Sequence, residues 1–330
     1  MQVLVTGGTG FLGSRLVSAL LARGSIITSG GDEESIDEIL VVDIAPPAQP
    51  FPEDKRLKTR YGDFSESDAA NQLINSNTGA VFHLAAIVSG EAEQDFDKGM
   101  RVNMQGTRKI LEACRQRADC PRVVFASSVA VYGGDMPDVL DDTTALSPQT
   151  SYGSQKAVGE LLVNDYSRKG FIDGRALRLP TIVVRPGKPN AAASSFASAI
   201  MREPLQGEEV NCPVSPKTGV WLLSPRQAVA CFLHAADLAP EAWGASRSVA
   251  LPGMTVSVEE MLAALSKVAG EGVAARVRFE PDPFIEKIVY GWPTRFTTER
   301  AEVMGFRADV RFEDVVEAFI EDDLGGKFVA

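Results

Sequence analysis

The chain has 330 residues, enough for one large domain or two smaller ones around a substantial buried core. Its formal net charge is −11 and its isoelectric point is near 4.9, with no run of basic residues to give a nucleic-acid footprint, and no uninterrupted apolar run spans a membrane. The four cysteines (Cys114, Cys120, Cys212, Cys231) match no zinc or CxxC spacing and there are two histidines, so the expectation is a cytoplasmic protein with reduced thiols, no metal, and local cations wherever it takes an anionic substrate.

"QVLVT" reads as a short apolar strand, and because it begins at residue 2 no signal peptide is expected. "GGTGFLG" follows, with Gly7, Gly10 and Gly13 spaced G-x-x-G-x-x-G. Phe11, Leu12, Leu16, Val17, Leu20 and Leu21 then recur at helical spacing until Gly24. A glycine-rich turn between strand and helix lets backbone approach a pyrophosphate, and the helix N-terminus supplies free N–H groups. The strand before and the helix after separate this pattern from a chance glycine repeat, and it predicts a dinucleotide site.

"EILVVDI" is a second strand, and Asp43 near its end is placed to accept hydrogen bonds from ribose hydroxyls and to repel a 2′-phosphate, which favours NAD over NADP. Asp43 lies 30 residues after Gly13, where about 20 is usual, and the polar stretch "TSGGDEES" reads as a loop insertion that accounts for the excess. In "RYGDFSE", Asp63 stands at the end of a third strand as a candidate for the adenine amino group, or as a plain loop aspartate.

"GAVFHLAAIV" runs from an apolar strand into small residues, so that Ala85 and Ala86 leave room for a cofactor over the strand end, with His83 read as a core histidine. "NMQGTRKILEACRQ" begins a helix with Asn103 and Thr107 on one face, and "PRVVFASSVAVYGG" is a strand ending at Ser127 and Ser128. "SYGSQKAVGELL" puts Tyr152 and Lys156 at i, i+4 on one helix face, and "GRALRLPTIVV" reads as a further strand. Strands alternating with helices at this spacing predict an α/β fold with a doubly wound parallel sheet, its ligand beyond the carboxyl ends of the strands.

"TGGTGFLG", "HLAA", "SSVAVYG" and "YGSQK", in this order, resemble the extended short-chain dehydrogenase/reductase family, which includes nucleotide-sugar epimerases and dehydratases. The resemblance covers roughly the first 190 residues. It implies an NAD-binding Rossmann domain over 1–180, with 220–250 returning to it, and a smaller substrate domain from 181–219 and 251–330. It implies cofactor contacts at Gly7, Gly10, Phe11, Leu12 and Gly13, at Asp43, Asp63 and Phe64, at Leu84, Ala85, Ala86 and Asn103, and at Tyr152, Lys156 and Pro180. It also implies a catalytic group of Ser128, Tyr152 and Lys156, and a homodimer built on helices near 95–117 and 152–168.

In that group Tyr152 is the base toward a substrate hydroxyl. A free tyrosine titrates near 10, and bringing it down by about 3 pH units takes roughly 4 kcal/mol, which a close Lys156 cation, with the positive nicotinamide ring nearby, is expected to supply. Ser128 orients the reacting oxygen.

The substrate stretch departs from the nucleotide-sugar pattern. Thr181 in "LRLPTIVVRPGKPN" stands where epimerases of the family carry asparagine, and "GVWLLSPRQAVACFLHA" has Trp221 and Ser224 but no aspartate. The small-residue segment from Arg185 to Trp221 resembles family members that oxidise a four-carbon sugar acid at C2. Substrate contacts are then expected from Ser128, Tyr152, Thr181, Asn190 and Thr218, with Ser194 as a further neutral donor and Arg185, Lys188 or Arg226 as the cation for a carboxylate. Two other readings stand beside the dehydrogenase: a nucleotide-sugar 4-epimerase or dehydratase with tightly held NAD, and a non-catalytic NAD sensor, against which the intact Ser128, Tyr152 and Lys156 argue.

Overall fold

Runs of β-branched and aliphatic residues form a seven-stranded sheet in a computed structural model that describes residues 1–66, 68–187 and 193–330. The chain divides into two compact units, one of Met1–Val131, Pro148–Arg178 and Val229–Ala250, the other of Tyr132–Ser147, Leu179–Ala228 and Leu251–Ala330.

The first unit holds the sheet. Its strands are β1 (Gln2–Thr6), β2 (Glu38–Asp43), β3 (Leu57–Tyr61), β4 (Thr78–His83), β5 (Arg122–Ser128), β6 (Asp173–Leu179) and β7 (Ser248–Ala250), in the spatial order β3-β2-β1-β4-β5-β6-β7. The paired registers run parallel from β3 through β1 to β5 and again between β6 and β7. The helices are α1 (Phe11–Arg23), α2 (Gly106–Arg117), α3 (Ser151–Arg168) and α4 (Pro225–Asp237). All five residues of β1 are buried, as expected for a central parallel strand covered on both faces. The strand order reverses at β1, so the carboxyl ends of β1 and β4 flank the crevice where sheets of this kind take their ligand. The doubly wound fold read from the sequence is therefore present.

At the opposite end of the sheet a buried charge cluster ties α4 down. Asp173 pairs with Arg122, Arg175 and Arg247, and the first two arginines also donate to Ala236 O and Ala235 O, carbonyls in the last turn of α4. Cations at a helix C-terminus satisfy exposed carbonyls and complement the dipole.

Two local expectations change. "TSGGDEES" is not simply a loop: it sits in an antiparallel hairpin, Ser25–Ile27 against Glu33–Ser35, turned at Gly30 and Gly31, the latter at φ +89°. "GRALRLPTIVV" is not one strand. Pro180 has no N–H to continue the ladder, so β6 ends at Leu179 and Thr181–Ile182 joins another sheet.

That second sheet lies in the second unit, with Gly219–Leu223 at its centre, parallel to Thr181–Ile182 and antiparallel to Met254–Ser257. The helices Ser195–Leu205, Val258–Ala269 and Phe312–Leu324 pack a core that includes Ile200, Met201, Leu222, Met261, Val316 and Phe319. Ser257 and Glu260 form a capping box that starts the middle helix.

Candidate active site

The glycine spacing has a steric cause that differs at each position. Gly7 adopts φ +70°, and a Cβ there would lie 2.7 Å from Ala85 N, so the turn after β1 and the turn after β4 touch backbone to backbone. A Cβ on Gly13 would overlap the Gly7 carbonyl, which sets how closely α1 approaches its own turn. Gly10 is the N-cap of α1 and offers no side-chain cap. The first N–H groups of the helix, those of Phe11 and Leu12 among them, have no acceptor within the helix. This uncapped, positively polarised end beside a bare backbone fits a diphosphate.

Asp43 closes β2 next to that loop. Its Oδ2 accepts from Thr9 N at 3.1 Å and its Oδ1 from Ile44 N at 2.7 Å, which leaves each oxygen a further lone pair for a ribose hydroxyl. At the ends of β2 and β3, Val42, Tyr61, Asp63, Phe64 and Leu73 line a small cavity of about 120 Å³. Asp63 is more heavily engaged than the sequence suggests: it accepts from Ser65 N at 2.8 Å and from the Ser65 hydroxyl, and it pairs with Arg101. These partners hold its carboxyl below the usual aspartate range against the opposing effect of burial. The Phe64 side chain belongs to the core and stands edge-on to His83.

His83 and Asn103 prove to be scaffolding for the same crevice. His83 is buried, with Nδ1 at 2.6 Å from Thr6 Oγ1 and Nε2 at 2.9 Å from Thr107 Oγ1. Thr107 donates its own proton to Asn103 O at 2.6 Å, so Nε2 is the protonated nitrogen and Thr6 donates to Nδ1. Burial drives the His83 pKa down to about 3, and the ring stays neutral. Asn103, in a π-type turn at Met100–Gln105 that leads into α2, spends its amide on Ile87 N (2.9 Å), Ile87 O (3.1 Å) and Gln155 Oε1 (2.8 Å). It therefore fixes the loop Leu84–Ile87 after β4, and its buried amide is occupied by the protein itself.

The helix carrying Tyr152 begins where Thr150 accepts from Gly153 N at 3.1 Å. One turn on, Lys156 reaches into the sheet, donating to Ala126 O at 2.7 Å, with its Nζ 4.8 Å from the Phe125 ring centre and 5.6 Å from that of Tyr152. Ser128, at the end of β5, accepts from Ala130 N at 3.1 Å and hydrogen-bonds the Tyr152 hydroxyl. Ser128, Tyr152 and Lys156 thus meet at one strand end of one unit. Behind them Glu160, one further turn along α3, is buried and paired with Arg178 at 2.7 Å and Ser127 at 2.5 Å.

In the protein alone, burial dominates the electrostatics of this group. Burial raises Tyr152 to about 12, and the Ser128 hydrogen bond offsets only part of that. Burial lowers Lys156 to about 7, against the pull of Glu160. Loss of hydration dominates both groups, with the Lys156 Nζ bonded to the Ala126 carbonyl and 5.6 Å from the Tyr152 ring centre.

In the second unit, Thr181 lies in its short strand beside Leu222, and Pro180 just before it is buried. Arg185 is half-buried near Arg202, and burial followed by that like charge lowers its pKa. Arg202 itself donates to Arg185 O and pairs with Glu203. Thr218 is buried in a turn closed onto Ser215, and Ser194 precedes the helix Ser195–Leu205. Arg226 is held by Glu321 and Asp322 at 2.8 Å each. Lys188 and Asn190 lie outside the described residues. The aspartate missing from the Trp221–Ser224 stretch has a counterpart elsewhere in the chain: Asp309 accepts from Ser224 N and Oγ, both at 2.7 Å, and Ser224 in turn accepts from Gln227 N to start α4.

The sequence reading placed Ser127 at this strand end without a role, and missed Gly153 and Glu160. The last was legible as an acid one turn beyond the lysine, on the face already carrying Tyr152.

Comparison with known proteins follows this geometry. A protein of Cupriavidus necator described as D-erythronate dehydrogenase is 53% identical over 98% of both chains, and one of Haemophilus influenzae with the same description is 45% identical over 98% of this chain and all of its own. A crystal structure from Agrobacterium tumefaciens, described as a nucleoside-diphosphate-sugar epimerase, superposes with a TM-score of 0.93 at 43% identity, covering 99% of this chain and 95% of that one. The model of the NAD dependent epimerase/dehydratase family matches residues 3–250, and the chain belongs to that family.

Proposed function

We propose that this protein is an NAD-dependent dehydrogenase that oxidises the C2 hydroxyl of D-erythronate to 2-dehydro-D-erythronate. The observation that carries the chemistry is the meeting of Ser128, Tyr152 and Lys156 at the end of β5. The substrate rests on the two relatives described as D-erythronate dehydrogenase, which align over essentially their whole length.

The first unit holds the cofactor. The N–H groups of Phe11 and Leu12 face the diphosphate with Gly7, Gly10 and Gly13 leaving space, Asp43 takes the adenosine ribose, and Asp63 with the Phe64 backbone borders the adenine. Leu84, Ala85 and Ala86 form the floor, fixed from beneath by Asn103. Bound NAD supplies the hydride acceptor and a positive ring.

Tyr152 removes the hydroxyl proton. Ser128 accepts from Ala130 N–H and shares a hydrogen bond with the Tyr152 hydroxyl, so a substrate oxygen entering between them would take over the Ser128 proton. Lys156 binds the nicotinamide ribose with the N–H groups that Ala126 O leaves over. Because burial holds Tyr152 near 12, the site ionises it only once further positive charge enters, which ties base strength to cofactor occupancy. In the second unit Arg185 is the best-suited partner for the substrate carboxylate: a desolvated guanidinium beside another cation gains most from an anion. Arg226 already has two carboxylates. Thr181 and Thr218 are the described candidates for the remaining substrate contacts; Lys188 and Asn190 lie outside the described residues.

The likeness to the Agrobacterium protein favours a second reading, a nucleotide-sugar epimerase, which would keep its NAD through turnover. The two separate on mixing purified protein, NAD and D-erythronate. Sustained NADH release, weak with NADP, is the dehydrogenase result. No release with D-erythronate, together with NAD that copurifies, would sink it.

A cytoplasmic homodimer belongs to the same proposal. Val158 and Leu161 on α3 and Phe96 before α2 expose apolar side chains, which suits the packing of those helices against a second copy. Sedimentation at micromolar concentration tests it.

A further inference from the structure

We propose that Glu160 is a positioning residue for the catalytic pair: by neutralising Arg178 behind the sheet it keeps Lys156 charged, and so sets the pH at which Tyr152 becomes a base. The inference rests on the assignment of Tyr152 as base and Lys156 as its cation.

The geometry is a relay along one helix face and one strand end. Tyr152, Lys156 and Glu160 follow at intervals of four on α3, so each side chain sits one turn beyond the last. Glu160 is 3% exposed. Its Oε1 accepts from the Ser127 hydroxyl at 2.5 Å and Arg178 Nε at 3.0 Å, and its Oε2 from Arg178 Nη2 at 2.7 Å. Ser127 directly follows Ala126, whose carbonyl holds Lys156 Nζ. Two consecutive residues of β5 therefore fix the lysine and the glutamate together.

The charges around Lys156 come from every side. Its own helix brings Tyr152 and Glu160. β5 brings the Phe125 ring and the Ala126 carbonyl, and β4 brings His83, whose ring is neutral. β6 brings Arg178 behind Glu160. Glu160 is the anion in this set. Glu160 pulls Lys156 toward its protonated form against the effect of burial. Without it, Lys156 loses that support and Arg178 is left behind the sheet without its carboxylate.

The test reads the acid limb of the kcat/KM profile for oxidation, together with the ¹³Cζ tyrosine resonance of Tyr152 in the NAD-loaded enzyme. Only five tyrosines are present, and Tyr152→Phe assigns the line. Glu160→Gln is expected to move both titrations to higher pH by about 1 unit or more. Arg178→Gln, which leaves the carboxylate uncompensated, is expected to move them lower, and it carries the test alone if Glu160→Gln does not fold. The double variant, with neither charge, returns toward the parent. Shifts in the same direction in both single variants, or unmoved titrations with lowered kcat and Tm, would overturn the proposal and leave Glu160 a packing residue. Tyr152→Phe separates the two levels: if it retains turnover, the base assignment itself is wrong.

Discussion

Gly153 lies against the carbonyl of Ala130 so closely that no side chain fits: a Cβ would overlap that oxygen and stand 3.0 Å from Pro148 Cβ. The residue after the proposed base is thus the point where α3 rests on the turn leaving β5. This contact brings Tyr152 to Ser128. Gly153→Ala should improve helix propensity by about 1 kcal/mol, yet the clash is with backbone and cannot be relieved by a rotamer. The helix start must shift, and misplacement by about 1 Å can cost on the order of a hundredfold in rate. The expected outcome is a kcat lowered about that much, with NAD affinity by fluorescence titration nearly unchanged. A parent-like kcat would show that the close approach does not position the tyrosine.

Lys156 makes a prediction about stability in the absence of NAD. Its folded pKa is lowered to about 7, while an unfolded lysine titrates near 10.4. Between these values the unfolded state binds more protons, so stability rises with pH across the window from about 7 to 10. The difference in unfolding free energy between the parent and Lys156→Met should shift in the parent's favour over that range, by up to about 4 kcal/mol. Urea titrations at several pH values check it. A flat difference would mean that Lys156 is ionised in the folded protein throughout.

Much of this site was legible because its motifs are local. The strand, glycine turn and helix from Gln2 to Arg23 are specified by periodicity and by steric limits acting within a few residues. Tyr152 and Lys156 follow from a four-residue spacing. What escaped the sequence depends on contacts between distant positions. Asp309 replaces the aspartate missing near Ser224 from 85 residues away, and no local pattern announces that. Asn103 spends its amide on Ile87 and Gln155, 16 and 52 residues away, and its spacing in the sequence does not announce either partner. The size of the burial effect on Tyr152 and Lys156 was equally out of reach, because desolvation depends on the whole surrounding sheet.

Asp43 predicts the choice of cofactor. Its carboxylate is fixed by Thr9 N and Ile44 N at the end of β2, so it cannot swing away from an added phosphate. A like charge about 7 Å away costs roughly 2 kcal/mol at an effective dielectric of 20. Asp43→Ser keeps an acceptor for ribose and removes the repulsion, so the ratio of kcat/KM for NADP to that for NAD should rise on the order of 30-fold. An unchanged ratio would place the discrimination at another residue.

Arg185 and Arg226 predict opposite results from the same substitution. Arg226 is about half exposed, with Glu321 and Asp322 already on its guanidinium, so Arg226→Met should leave KM for D-erythronate within about twofold. Arg185 is more deeply set, and its nearest like charge, Arg202, has its own carboxylate in Glu203. A charge-assisted hydrogen bond to a carboxylate contributes about 1.5–3 kcal/mol, so Arg185→Met should weaken D-erythronate by roughly 10- to 150-fold. The effect should fall on KM more than on kcat, because the carboxylate keeps its charge throughout the reaction and binds ground state and transition state alike. A neutral four-carbon polyol serves as the control, since it has no carboxylate to lose. Equal loss with both compounds would mean that Arg185 supports the fold of its unit, and a large KM effect at Arg226 instead would move the carboxylate to that side chain.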